Sequence, residues 1–209
     1  MTTFGTMETR IADELSRTDL NAQIQKAIKS AIRHYERRRF YFNERIDTFS
    51  LSSSQEWYST ADFASMDKIV TIDTVKYSSG GSTHTIAPRD FSYIDEISSG
   101  QSFGDPTDYA YYRQQMRFYP IPNQARSVTI SYVYKPSELS ASTDSNFWMT
   151  DAEELIRMRA KADVLVNVIR EAEAYTEAAA LRQREIEVLG DIAGELSEIA
   201  GAGRIRPSM

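Results

Sequence analysis

At 209 residues the chain is long enough for one full-sized core with an elaboration or for two small cores. A content of 41% hydrophobic, 11% aromatic and 26% charged residues excludes a disordered chain and a bilayer-embedded one. A net charge of −6 argues against a general nucleic-acid clamp, the lack of cysteine removes disulfides, thiolate metal sites and a cysteine nucleophile, and two histidines leave little for a histidine metal site.

In chain order, Ile11 and Leu15, one turn apart, predict a short first helix with Asp13 and Glu14 outward. Residues 16–19 connect it to a second helix, on which Leu20, Ile24, Ala27, Ile28, Ala31, Ile32 and Tyr35 recur at three- and four-residue steps and Thr18 or Asp19 can cap the start. From Phe40 the period changes to two. Phe40, Phe42, Ile46 and Thr48, then residues 69–77, then residues 127–134 are rich in β-branched and aromatic side chains and predict strands. Gly80-Gly81 predicts one hairpin turn, and Arg113-Gln-Gln predicts another between residues 109–112 and 116–119, so the sheet is expected to be mostly antiparallel. Residues 88–97 read as a short helix opened by Pro88, residues 98–106 as a loop, and Pro120 and Pro122 as the end of the second hairpin. Thr150-Asp-Ala-Glu153 reads as a capping box. It opens a long helix through Leu155, Ile156, Met158, Ala162, Leu165, Val166 and Ile169, interrupted near Arg170, then through an alanine-rich stretch to Ile186 and Leu189. Gly190 and Gly194 weaken it, and residues 201–209 form an extended tail without a core pattern. The expected fold class is α+β: a helical bundle from residues 1–39 and 140–200, an inserted antiparallel β domain over 40–139, and the tail.

Charge is uneven, with nine basic and six acidic groups in residues 1–45 against seven and twelve in 46–149. The run Arg33-His-Tyr-Glu-Arg-Arg-Arg39 is the densest positive charge, and three readings stay open for it: a solvated helix end, contact of Arg33 and Arg37 with an acidic partner subunit, or phosphate contact. Tyr109-Ala-Tyr-Tyr-Arg-Gln-Gln-Met-Arg117 is more aromatic than one sheet face can bury. It reads either as core with cross-strand pairs or as an oligomer interface built on Tyr111, Arg113 and Arg117. Asp151, Glu153 and Glu154 could form a paired-carboxylate site, although helix-start chemistry accounts for them better. His34 stands beside arginines with no triad partner at a recognised spacing, and His84 reads as a surface strand residue. No phosphate loop, dinucleotide fingerprint, nucleophile elbow or zinc-protease string occurs, so no catalytic, cofactor or metal residues are expected. In the tail, Arg204 and Arg206 offer charge-assisted hydrogen bonds around an apolar Ile205, a combination suited to binding a partner protein. No apolar run approaches the roughly 20 residues of a membrane span, and the start lacks the pattern of a secretory signal.

Four strings, in order, resemble the head-to-tail adaptor proteins of tailed bacteriophages. They are Gln25-Lys-Ala-Ile-Lys-Ser-Ala-Ile-Arg-His-Tyr-Glu-Arg37 with Phe40-Tyr-Phe-Asn-Glu44, residues 105–122, Thr150-Asp-Ala-Glu-Glu-Leu-Ile-Arg157, and Gly203-Arg-Ile-Arg-Pro207. The resemblance implies a structural virion protein: a dodecameric ring under the portal protein at the virion neck, meeting a downstream tail or nozzle protein and continuing the DNA channel without sequence-specific DNA binding, after assembly in the host cytoplasm. Two readings of other classes stand beside it: a peptidoglycan-cleaving virion enzyme using Glu153 with Asp151 or Glu154, and a DNA-binding accessory factor using residues 33–39.

Overall fold

In the computed structural model, which describes residues 2–199 and side chains as far as Gly194, the chain opens with helix α1 (Phe4–Glu14). The Thr3 hydroxyl accepts from the Thr6 amide at 3.2 Å and the Thr6 hydroxyl accepts from the Thr3 amide at 2.7 Å, a reciprocal cap for amides that a helix start leaves unpaired. Helix α2 (Asn21–Tyr35) buries Ile24, Ala27, Ile28, Ala31 and Tyr35, the stripe that the spacing predicts. Its start differs from expectation. Leu20 holds the N-cap position with no side-chain bond, and Asp19 is occupied by Arg17, 2.8 Å from Nε. A strand beginning at Phe40 is also not formed. The Asn43 side chain accepts from the Phe40 amide and donates to the Arg38 carbonyl, both at 2.8 Å, closing a 3-10 turn over Tyr41–Asn43. Local hydrogen bonding by a buried asparagine overrides the period-two pattern here.

The β unit spans Glu44–Lys135. Its elements are β1 (Glu44–Leu51), β2 (Trp57–Tyr58), β3 (Ile69–Ser79), β4 (Ser82–Pro88), α3 (Phe91–Ile97), β5 (Phe103–Gly104), β6 (Asp108–Tyr112), β7 (Gln115–Tyr119), β8 (Ile121–Pro122) and β9 (Arg126–Tyr134). Seven strands form one sheet in the order β1-β9-β3-β4-β6-β7-β2, and β5 pairs with β8 separately. Within the large sheet every pairing is antiparallel except β4 with β6, because the α3 crossover returns the chain in the same direction. Both hairpin turns have two residues in the left-handed region: Gly80 and Gly81 at φ +57° and +81°, Arg113 and Gln114 at +51° and +61°. Pro88 closes β4 rather than opening a helix, and α3 starts after Asp90. Phe49, Tyr58, Met66, Phe118, Ile130 and Tyr132 are among the core residues.

The remaining described chain forms a helical unit, with α4 (Phe147–Thr150), α5 (Glu153–Val164), a π-helical turn (Leu165–Ile169) and α6 (Ala172–Ile199) joining α1 and α2. The expected capping box at Thr150 is absent. Thr150 is itself the last residue of α4 and so lacks the extended backbone of a cap; its hydroxyl bonds Asp151 at 2.6 Å, and Ala152 holds the N-cap of α5. The interruption near Arg170 is present, at φ +59°. Trp148, fully buried, anchors a core that includes Phe4, Met7, Ile28 and Leu155. Phe40 and Leu139, which the sequence places with the strands, are buried in this helical core instead, Phe40 with its ring centroid 5.6 Å from Trp148. The fold class is α+β.

Candidate functional site

Because α2 ends at Tyr35, Arg37, Arg38 and Arg39 lie in the turn beyond it rather than on its face. Arg33 is exposed and reaches Glu138 at 3.0 Å; Arg37 is exposed; the Arg38 guanidinium lies 5.3 Å from the Tyr35 ring centroid. Behind them is a polar network with Tyr35 and Glu185 buried at its centre. Tyr35 donates its phenolic proton to Glu185, which is 6% exposed and also accepts from Arg159 at 2.7 Å. The other terminal nitrogen of Arg159 is 3.1 Å from His34 Nδ1. Guanidinium can only donate, so Nδ1 accepts and the neutral ring carries its proton on Nε2. Burial, reinforced by the bond to the Glu185 carboxylate, pushes the Tyr35 phenol up to about 12. Burial, with the Arg159 charge beside it, pushes His34 down. The network thus holds one ion pair and two neutral rings.

This network forms one side of a cleft of about 430 Å³ between α2, α5 and α6, lined also by Ser30, Arg38, Arg182, Ile186 and Leu189. None of Glu185, Arg159 or Arg182 was singled out from the sequence. A signal was present: Ala174, Ala178, Leu181, Glu185, Val188 and Ile192 repeat at steps of four and three, which puts a carboxylate at a core position of α6.

In the β unit the structure separates the proposed interface residues. Arg117 turns inward and is buried, bonding Glu56 at 2.6 Å, Asp95 of α3 at 2.8 Å and Ser98, with its guanidinium 5.0 Å from the Trp57 ring centroid. It lies on the sheet face that α3 covers, so it is an internal tie and not the surface residue expected. Tyr111 is part-buried and donates to the Met66 carbonyl at 2.7 Å. Arg113 stays exposed over the Tyr112 ring, 5.5 Å to its centroid. Tyr112, 42% exposed and stacked on Phe91 at 4.4 Å, is a surface aromatic that strand alternation alone could have placed opposite Tyr111.

The three carboxylates near the start of α5 do not converge. Asp151 meets Thr150, Glu153 accepts from Thr2 at 2.9 Å and Arg10 at 2.6 Å, and Glu154 faces Arg184 at 3.8 Å. His84 stacks on Tyr77 across the β3–β4 hairpin at 5.0 Å. Among the described residues no group of His, Asp and Glu is placed to hold a metal ion, and no helix is long and apolar enough to cross a membrane. Arg204, Ile205 and Arg206 lie outside the described residues.

No curated protein matches the chain. A family model described as SU10 adaptor protein matches residues 2–206, from the α1 cap to the tail arginines and including the β unit. By a match of that extent the chain belongs to the SU10 adaptor family, and with it to the structural head-to-tail adaptors of tailed bacteriophages.

Proposed function

We propose that the protein forms a ring at the virion neck, a dodecamer that joins the capsid portal protein to a downstream tail or nozzle protein and continues the DNA channel. The observation that carries this reading is the family match over residues 2–206. In it, the helical segments from both chain ends act as one bundle and the β segment as an insertion, assembled in the host cytoplasm. Arg33, Arg37, Arg113 and the Tyr112 ring contact neighbouring subunits or tail protein, where arginine and tyrosine are favoured, and Arg204, Ile205 and Arg206 engage the portal. Tyr111 supports that surface from within. A net charge of −6 per copy suits a channel that DNA must slide through, since attractive phosphate contacts would retard it. Mixing the protein with its portal and imaging the particles tests the proposal. Twelve-fold rings seated on the portal are expected; failure to join the portal at micromolar concentration, or salt-sensitive retention on DNA in place of joining, would defeat it.

A further inference from the structure

We propose that the cleft between α2, α5 and α6 is a receptor for a single carboxylate carried beside an aliphatic side chain on a partner protein. The inference depends on the adaptor reading for the source of the ligand but not for its chemistry.

Three guanidiniums line the cleft: Arg38, Arg159 and Arg182. Two carboxylates line it as well, Glu185 and Asp163, so one positive charge is left over. Glu185 is consumed by Arg159 and Tyr35, and Asp163 accepts from Asn167 at 2.6 Å. Arg38 and Arg182 have no carboxylate partner among the described residues, although both stand at a cleft edge where a planar fork can grip one. Burial and the neighbouring Arg159 charge push His34 down, and its Nδ1 faces the Arg159 guanidinium, so it adds no charge.

The size of that surplus decides the ligand. One net positive charge matches a single carboxylate and not a phosphate chain, which would bring a charge with every unit. The walls select further, since Ala27, Ala31, Ala162, Ile186 and Leu189 are apolar. Ile186 is 64% exposed there, one helical turn from Arg182, which leaves apolar area beside a guanidinium for an aliphatic group to cover. A protein segment supplies both parts together.

The probe is 4-methylpentanoate, which joins a carboxylate to a leucine-like branch, titrated into the full-length protein labelled for NMR. Saturable shifts of the Ile186 and Leu189 methyls and the Arg182 Nε signal are expected at millimolar concentration. They should weaken at least tenfold in Arg182→Gln or Arg38→Gln, exposed sites whose replacement leaves the fold intact. The amide 4-methylpentanamide should not compete. Absence of these shifts, equal binding of the amide, or stronger binding of inorganic phosphate would each overturn the site. Portal joining by Arg182→Gln is the separate arm. Reduced joining assigns the carboxylate to a partner protein, whereas unimpaired joining by a variant that has lost the probe would overturn that source while leaving the adaptor reading in place.

Discussion

A Cβ added at Gly5 would lie 2.8 Å from the Ser142 Cβ and 3.0 Å from the Ser142 carbonyl oxygen, which itself accepts from the Gly5 amide at 2.8 Å. Helix propensity alone favours alanine over glycine by about 1 kcal/mol. The approach of backbone to backbone reverses the sign, and Gly5→Ala is expected to destabilise by about 1–3 kcal/mol in denaturant unfolding, an overpacking cost. A gain in stability would show that the 140–146 segment yields. Tyr35 and Tyr109 make a second residue-scale case, since burial places both phenols at about 12 against an ordinary 10. The unfolded chain releases these protons at lower pH than the folded one, so their stabilisation is complete below pH 10 and is lost as pH rises to about 12, up to about 2–3 kcal/mol for each. Absorbance titration at the tyrosinate band should show the step removed by Tyr35→Phe near pH 12; a step near pH 10 would contradict the burial of that ring.

Elements differ in how openly their sequence declares them. The α2 stripe from Ile24 to Tyr35 is legible because burial against one core imposes the 3.6 period directly, and Gly80-Gly81 is legible because both positions need positive φ. Arg113 and Gln114 adopt the same region without glycine, held by the flanking pairs of β6 and β7, so only the length of the gap marked that turn. Thr150 and Phe40 misled for one reason: each belongs to a short local turn whose partners, Asp151 and Asn43, compete with the longer pattern. The helix-start chemistry does exist, at Thr3 instead. Thr3→Ala should therefore cost about 1 kcal/mol, as a lost cap does, while Thr150→Ala stays within about 0.5 kcal/mol; equal effects in thermal melts would restore the Thr150 assignment. The tie between α3 and the sheet depends on Arg117, whose loss would leave Glu56 and Asp95 without their shared partner. Arg117→Ala should lower stability by about 1–3 kcal/mol and loosen α3 first, seen as faster amide exchange at Ile94 than at Ile130. The candidate site was half visible: its rim arginine, Arg38, stands in the basic run, but Arg159, Arg182 and Glu185 reach Tyr35 and Arg38 only through helix packing across more than a hundred residues of chain.

Across the whole molecule, ties such as Arg10 to Glu153 join residues 143 apart in sequence, so the helical unit cannot form until both ends of the chain are available. The β unit is continuous, and its first and last long strands are partners, with Glu44 opposite Val133. That pairing bears on the order of folding. Once β1 and β9 are zipped, the long excursion between the two halves of the helical unit contracts from roughly 100 residues to an effective span of roughly 15, and by the logarithmic closure law this lowers the entropy barrier by about 2 kcal/mol. The β unit then acts as a folding aid in cis for the helical segments before and after it in the chain. The two tryptophans allow this to be timed, since Trp57→Phe leaves Trp148 as the reporter of the helical core. Ile130→Ala, wholly within the β core, should slow the burial of Trp148 during refolding; an unchanged rate would mean that the helical unit closes its own loop. By the same logic the stability of the β unit's sheet would set how quickly a newly made chain becomes competent to join a virion, before any partner has been met.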